Sequence, residues 1–497
     1  MWRGCELGGV VMVRCAGDVA WRVASGGIGL VIFSAVAMTA RADTLNGALI
    51  NAYQNNPQLN SQRAVVRATD ESVPQALSGY KPTATATLQT GQSYTSTVTK
   101  TTIPGTVSST NPLGNPAYPR SSFGSSPSSA SFTVTQNLFN GFQTANRVRQ
   151  AEANTSAARE TLRVAEQTIL LNAATAYMDL LRDSALLDLQ RRNVEVLQEQ
   201  LRQTRDRFNV GEVTRTDVAQ AESRLAQGRA TVLSAESQYA RSRANYRLFI
   251  GVEAGVLQPG SPVDRLTPRR LIEGIEIARA HHPNVGIAMF GIDAAVLQVK
   301  ITEGSLYPQA RLIGTVQQNW ETNLTTQLEQ FNAFVAAQVT IPIFNAGPAG
   351  ASDYFSSIRA AKETVGQKRM DLDTARDQIQ AGVVTAWGQL ETAKAQILAT
   401  QAQVASAEIA LNGVREEARV GQRTTLDVLN AQQELVNARA ALVTAQHDRV
   451  VASYTLLGAV GELNLPKLGI NIPLYDPMVH YQQVRDAWIG VRTPDGR

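Results

Sequence analysis

Two long parts of the chain carry apolar residues at every seventh position. The period runs through residues 173–208 and again through 383–418, where each member lies 210 residues after its counterpart. It resumes at 218–246 and at 428–456, with only Arg449 out of pattern. Sustained heptads of this kind predict long helices that pack as coiled coils.

A glycine-containing turn separates each pair of helices. Residues 209–224 and 419–434 share six of sixteen positions at an offset of 210, among them a Val-Gly pair and an Asp-Val pair. Gly211 and Gly421 supply the left-handed conformation that ends a helix, so each half predicts an antiparallel helical hairpin. The helix over about 143–207 would be roughly 100 Å long at ~1.5 Å per residue, longer than the core of a compact domain.

Four shorter stretches alternate between polar and apolar residues and predict β-strands. They cover residues 83–95, 131–139, 310–320 and 332–343. In the third, Leu312, Val316 and Trp320 fall on one face and Arg311, Thr315 and Gln317 on the other. The intervening segment 96–130 is crowded with Ser, Thr, Pro and Asn and predicts a solvated loop, with a shorter counterpart at 321–331.

Strands of about ten residues with two unlike faces suit a membrane barrel. Four strands cannot close one, since the smallest membrane barrels have about eight. An open sheet edge in lipid would leave its amide groups unpaired. Either other copies of the chain complete the barrel, or these are not membrane strands.

The two halves of the chain are similar to one another. Pro57 and Pro82 recur as Pro283 and Pro308, 226 residues on, and the Phe-Asn-Gly at 139–141 recurs as Phe-Asn-Ala-Gly at 344–347. The chain is therefore interpreted as one unit of roughly 210–226 residues, present twice.

Residues 1–42 have the features of a signal peptide. Arginines precede the apolar run at 28–38, and Ala40-Arg41-Ala42 fits a cleavage site. The run is too short to cross a bilayer as a helix, although a buried helix or an anchor is the alternative, and Met12 could start a shorter signal. Cys5 and Cys15, the only cysteines, both lie there, so the mature chain has no disulfide and no cysteine for lipid attachment at the cleavage point.

Charge and motifs exclude several functions. Half of the net charge of +4 comes from the signal segment. The sequence shows no basic stripe interleaved with aromatic residues, which nucleic-acid binding would favour. His281 and His282 are adjacent, and His447 and His480 stand alone, so the sequence shows no metal-ligand pattern. Without a nucleophile or phosphate-binding motif either, the chain is predicted not to be an enzyme and to need no cofactor.

Polar residues near the second turn are the candidate functional group. Arg423, Asp427 and Asn430 follow Gly421, and Asp427 and Asn430 are three apart on one helix face. An acid in the first turn can simply complement the helix dipole. For Asp217 alone, helix capping and a functional role are equally favoured. In a symmetric assembly of hairpins, however, one such residue becomes a ring, and rings of Asp select cations.

Several motifs together resemble the TolC family of outer-membrane efflux and secretion ducts, from about Asp43 to Leu465. They are QTILLNAATAYMDLL (167–181), RFNVGEVTRTDV (207–218), QNLFNGF (136–142), IPIFNAG (341–347) and VGQRTTLDVLNAQQELVNAR (420–439).

The resemblance implies a mixed α and β membrane protein, internally duplicated, in which four strands from each of three chains form a 12-stranded barrel. A long α-helical tunnel then continues the barrel across the periplasm. The expected partners are two more copies of the chain, a periplasmic adaptor protein, an inner-membrane transporter of the RND, ABC or MFS type, and outer-membrane lipid.

Gate residues follow from the same resemblance. Asp427 matches the aspartate ring of the constriction, and Arg423 matches the arginine that ties the inner hairpin to its neighbour, with Thr216 and Asp217 as acceptors. Family members often carry a second aspartate where this chain has Asn430, and a tyrosine where it has Ala418. We therefore expect weaker cation binding and easier opening. The turns Val210-Gly211 and Val420-Gly421 match the tips that meet the adaptor.

The sequence thus predicts a passive, gated exit duct for small toxic compounds or for secreted proteins. A coiled-coil structural or adhesin-like surface protein is the alternative from another class. The expected segments are a signal peptide (1–42), first helical tunnel segment (43–81), first strand pair (82–140), first long helix and hairpin (141–250), equatorial linker (251–267), second helical tunnel segment (268–308), second strand pair (309–343), second long helix and hairpin (344–458) and C-terminal equatorial segment with tail (459–497).

Overall fold

The computed structural model describes residues 44–102, 116–322, 327–343 and 354–494. The predicted signal peptide therefore lies outside the described residues, as does the Phe-Asn-Ala-Gly motif at 344–347. The helices are α1 (Leu45–Asn55), α2 (Pro57–Asp70), α3 (Ser72–Leu77), α4 (Gln143–Asn209), α5 (Arg215–Ile250), α6 (Leu271–His281), α7 (Pro283–Glu303), α8 (Tyr354–Arg419), α9 (Thr425–Val460) and α10 (Pro477–Val484). The strands are β1 (Thr83–Thr90), β2 (Ser93–Val98), β3 (Thr101–Thr102), β4 (Pro116–Ala117), β5 (Arg120–Ser125), β6 (Ser128–Asn140), β7 (Gln309–Thr322) and β8 (Gln327–Thr340).

The main sheet has four antiparallel strands in the order β1-β6-β7-β8. Its register groups one apolar face, which comprises Ala84, Ala86, Leu88, Ala130, Phe132, Val134, Leu312, Val316, Trp320, Phe331, Ala333, Val335 and Ala337. The opposite, polar face comprises Thr83, Thr85, Thr87, Ser129, Ser131, Thr133, Thr135, Arg311, Thr315, Gln317, Asn319, Gln330, Asn332 and Gln338. The exceptions on the polar face are Ile313, Phe334 and Ala336, and those on the apolar face are Thr90, Ser128, Gln136, Gln318 and Glu329.

The predicted loop at 96–130 was wrong in part, because much of it is a β-ribbon. β2 pairs with β5 and β3 with β4. Of the segment 96–130, residues 103–115 lie outside the described residues. A hydroxyl pair crosses the ribbon, with Ser93 Oγ 2.7 Å from Ser125 Oγ, and Thr90 Oγ1 lies 2.9 Å from Ser128 Oγ at the adjoining end of β1 and β6. The Thr-rich sequence therefore favours extended pairing despite its loop-like composition. The predicted first strand correspondingly breaks near Gly91, and β7 and β8 extend further into 321–331 than predicted.

Two long hairpins adjoin the sheet. The helices α4 and α8 have 67 and 66 residues, about 100 Å each at ~1.5 Å per residue. α4 packs along α5, α8 packs along α9, and α9 also packs on α4. The largest buried cluster joins α1, α2, α4 and α9 to residues 463–470, with the non-helical segment 251–267 against it. The predicted linker and C-terminal segments therefore form part of the core around the middle of the tunnel helices.

The strand-to-helix junction depends on two glycines. Gly141 has φ +64° and Phe142 has φ 61°, which turns the chain sharply from β6 into α4. A Cβ on Gly304 would lie 2.6 Å from the carbonyl oxygen of Gly141, so the two backbones meet with no room for a side chain. This contact fixes the end of α7 beside the start of α4.

One helical stretch of the described residues, Leu271–Leu306, meets a membrane-span criterion by length and composition, with a mean hydropathy of 1.5. Pro283 divides it into α6 and α7, and α7 packs along α4 and α8. We interpret it as part of the helical wall that leads to β7.

Candidate functional site at the hairpin tips

Both turns close by the same hydrogen-bond pattern. Gly211 and Gly421 have φ of +80° and +81°. In the first turn the amides of Gly211 and Glu212 donate to the carbonyls of Phe208 and Arg207, each at 2.9 Å. Gly421 and Gln422 repeat this with Ala418 and Glu417. The pattern is a Schellman motif, as the glycine position predicted.

A capping box begins each descending helix. The hydroxyl of Thr424 accepts from the Asp427 amide at 3.2 Å, and the Thr424 amide and hydroxyl donate to Asp427 Oδ2 at 3.0 and 2.8 Å. Thr214 and Asp217 make the same three contacts. These hydrogen bonds to the charged form hold the pKa of both carboxyls below the usual range. Both aspartates are therefore ionised and have a local structural role, which the sequence offered as one of two explanations.

Arg423 pairs within its own hairpin. Its Nε lies 2.8 Å from Glu417 Oε2, and the Glu417 carboxylate raises the pKa of the guanidinium. Thr216 is exposed, and Asp217 is engaged by Thr214. Within one chain the structure thus does not bring Arg423 to Thr216 or Asp217, so that link remains a prediction about a neighbouring copy.

Asn430 connects the two hairpins. Its amide oxygen accepts a hydrogen bond from Arg224 Nη2, on α5, at 2.8 Å. One residue earlier, Leu429 is buried against Leu197, Leu201 and Leu225 of the first hairpin. No local pattern in the sequence points to Arg224, because its partner lies 206 residues away.

Ala418 lines an open groove between the hairpins. The groove has a volume of about 740 Å³ and includes Glu195, Glu199 and Arg207 of the first hairpin and Arg415 of the second. A small side chain at 418 leaves this space unfilled. Nearer the tips, Val210 and Val420 are well exposed.

A polar network between α4 and α9 lies farther from the hairpin tips. His447 on α9 has Nε2 2.9 Å from Asp179 Oδ1 on α4, and Nδ1 2.9 Å from Asp448 Oδ1. Arg182 adds ion pairs to Asp179 and Asp183. Burial lowers the pKa of His447, but its hydrogen bonds to Asp179 and Asp448 outweigh this and raise it above the ordinary value. His447 and His480, solitary in sequence, thus both have carboxylate partners, Asp70 in the case of His480.

The described residues contain no cluster of His, Cys, Asp and Glu that could hold a metal ion. At the hairpin tips these residues provide charge, hydrogen-bond donors and acceptors, and a defined shape. In each half they lie around the turn that connects two long helices.

Comparison with known proteins identifies the family. The outer membrane efflux protein family matches residues 48–252 and 274–462. The outer membrane efflux protein BepC of Brucella suis is 39% identical over 472 residues, which cover 94% of this chain and 96% of BepC. Outer membrane protein TolC of Escherichia coli is 24% identical over 353 residues, 68% of this chain and 70% of TolC.

The fold is that of solved channels. The Campylobacter jejuni CmeC outer membrane channel superposes with a TM-score of 0.66 at 16% identity, over 89% of each chain. The predicted TolC-type resemblance is confirmed, and a duct is favoured over a structural rod. The chain belongs to the outer membrane efflux protein family, the TolC-type channels of the outer membrane whose helical tunnel lies in the periplasm.

Proposed function

We propose that three copies of the chain form a passive exit duct, in which four strands from each copy close a 12-stranded barrel and the hairpins form one gated tunnel. An inner-membrane transporter of the RND, ABC or MFS type would supply the energy, and a periplasmic adaptor would connect it to the tips at Val210-Gly211 and Val420-Gly421. The cargo would be small toxic compounds or a secreted protein.

The open sheet carries this proposal. Among the described residues β1 pairs only with β6 and β8 only with β7. Both edges belong to a sheet with an apolar and a polar face, so in a bilayer their amide groups need partners. β1 of one copy against β8 of the next satisfies both edges, with the apolar face toward lipid and the polar face toward a water-filled lumen.

The gate follows from the same symmetry. The second hairpin would lie on the inner side, where three copies of Asp427 form a ring that narrows the pore and binds cations. Arg423 would link this hairpin to Thr216 and Asp217 of the next copy. Asn430 would supply a neutral second ring, with its hydrogen bond to Arg224 as one of the contacts that opening must break.

Cysteine pairs across the β1–β8 junction test the assembly, because the predicted mature chain has no cysteine of its own. Thr85→Cys, combined in turn with cysteine at each position of 331–339, should give covalent trimers on oxidation at one register. Thr85→Cys alone is the control. Absence of crosslinks at every register, together with a soluble, non-conducting protein, would contradict the duct and favour the structural rod.

A further inference from the structure

The C-terminal strap, residues 476–494, runs along α2 and α4 of the first half toward the sheet. Just before it, the amide of Tyr475 donates to the hydroxyl of Tyr53, 3.1 Å away. His480 Nδ1 then lies 3.1 Å from Asp70 Oδ2, and the Ala487 carbonyl accepts from Lys81 Nζ at 3.0 Å. The partners advance from 53 to 70 to 81, and β1 begins at residue 83. The strap therefore ends at the foot of the sheet.

Charged and aromatic contacts fix this path. Asp70 is fully buried, and Arg159 on α4 lies 3.6 Å from it. The same guanidinium lies 4.9 Å from the ring of Tyr481 on α10. Further along, Arg485 pairs with Glu152 of α4 at 3.7 Å. Several contacts, on α2 and on α4, thus hold the strap in one position.

Beyond these contacts the strap leaves apolar side chains exposed on the surface of the chain. Trp488 is 65% exposed, Ile489 91% and Val491 fully exposed. The Trp488 ring lies 5.2 Å from Lys81 Nζ, which fixes its level relative to the strands. Leaving large apolar side chains exposed forgoes about 1.5–3 kcal/mol of burial each, so a surface that covers them is expected.

The surroundings indicate what covers them. Tyr80 and Tyr307 are also exposed at this level, three residues before β1 and two before β7. Tryptophan and tyrosine gather where a membrane meets water, because one end of the ring is apolar and the other polar. Lys81 and Arg492 add positive charge that suits phosphate headgroups; Arg485 is paired with Glu152, and the exposed Asp486 offsets part of the charge.

We propose that the strap is a membrane anchor: Trp488, Ile489 and Val491 insert into the phospholipid interface of the periplasmic leaflet, beside the sheet. This rests on the proposed function, since it takes the apolar face of the sheet to contact lipid, and it extends that lipid surface outward from the barrel foot. The anchor would hold the tunnel upright relative to the membrane while partners act on the distant tips.

Tryptophan quenching in lipid tests the proposal. Outside the predicted signal the chain has three tryptophans, Trp320, Trp387 and Trp488. Trp→Phe changes leave one at a time in the full-length protein, reconstituted in vesicles of phospholipid brominated near the ester end or near the methyl end of the acyl chain. Trp387 lies 33 residues into α8, roughly 50 Å from its start at ~1.5 Å per residue, and is the unquenched control.

Emission of Trp488 should fall by about half with bromine near the ester end and less with bromine near the methyl end, as for an interfacial ring. Quenching of Trp320 but not of Trp488 would overturn the anchor and leave the duct standing; blue emission from Trp488 would then indicate burial against a neighbouring copy. No quenching of Trp320 either would instead contradict lipid contact by the sheet.

If a single-tryptophan protein does not fold, a nitroxide on Trp488→Cys gives the same decision. If position 488 lies in lipid, the label should collide more with oxygen than with a water-soluble nickel chelate. The reverse order would overturn the anchor.

Discussion

Arg224 on the first hairpin donates a hydrogen bond to Asn430 on the second at 2.8 Å, which joins two helices whose sequence positions lie 206 residues apart. The acceptor is a neutral amide, and the donor is a permanently charged guanidinium. The contact is exposed, so its contribution is below ~1 kcal/mol per chain.

Asn430→Asp should strengthen this connection. A carboxylate makes a charge-assisted pair with Arg224 and adds negative charge to the proposed inner ring. We expect a lower open probability and stronger divalent block in planar-bilayer recordings. Asn430→Ala should do the opposite, and identical currents from all three proteins would contradict a role for this contact in gating.

Asp427→Ala should weaken divalent block of the channel. Because Asp427 also caps α9, the matched variant is Thr424→Ala, which breaks the same capping box and keeps the carboxylate. Both variants should lose a similar amount of thermal stability, and only Asp427→Ala should change the block. Unchanged block in Asp427→Ala would remove Asp427 from the constriction.

Ala418→Tyr should restrain the gate. The groove of about 740 Å³ beside Ala418 can accept a phenol, and Glu195 and Glu199 offer acceptors for its hydroxyl. One such hydrogen bond is worth about 0.5–1.5 kcal/mol, so open probability should drop roughly two- to thirteenfold. Ala418→Ser is the small-residue control. An unchanged or higher open probability in Ala418→Tyr would show that a tyrosine in this groove does not restrain the gate.

His447 should make the α4–α9 contact sensitive to pH. Its pKa is raised, so the stability it contributes is complete below the ordinary value of 6.5 and is lost as pH rises through the raised pKa. The dissociation temperature of the assembly should therefore fall on going from slightly acidic to alkaline buffer. His447→Gln should lose about 1–3 kcal/mol at low pH and flatten that profile.

The exposed His281 provides the control for this experiment, since His281→Gln should leave the profile unchanged. Asp179, whose pKa is lowered, contributes with the opposite sign: its share is present above 3.8 and lost in stronger acid. A profile that His447→Gln leaves intact would assign the pH dependence to other groups.

Gly304→Ala should destabilise the strand-to-helix junction by about 1–3 kcal/mol, because its Cβ would overlap the Gly141 carbonyl. Gly291→Ala on α7 is matched, since nothing lies within 4 Å of its Cβ, and it should be neutral or stabilising by up to ~1 kcal/mol. Thermal denaturation of the two proteins side by side measures the difference. Equal losses would contradict the close backbone contact.

The sequence by itself determined the helices, their turns and the two faces of the strands. Heptads, the left-handed Gly211 and Gly421, and the alternation around Val316 are local signals, since they depend on spacing along one element. The same locality explains the error at 96–130, where composition suggested a loop and cross-strand pairing of hydroxyl residues formed a ribbon.

Only the tertiary structure decided which distant residues meet. Arg224 with Asn430, His447 with Asp179, and Lys81 with Trp488 are each separated by more than two hundred residues of chain. The first two contacts arise from long helices that pack side by side, where a register set by buried leucines and alanines also fixes which polar groups are neighbours. No periodicity in one element carries that information, because the register belongs to the pair.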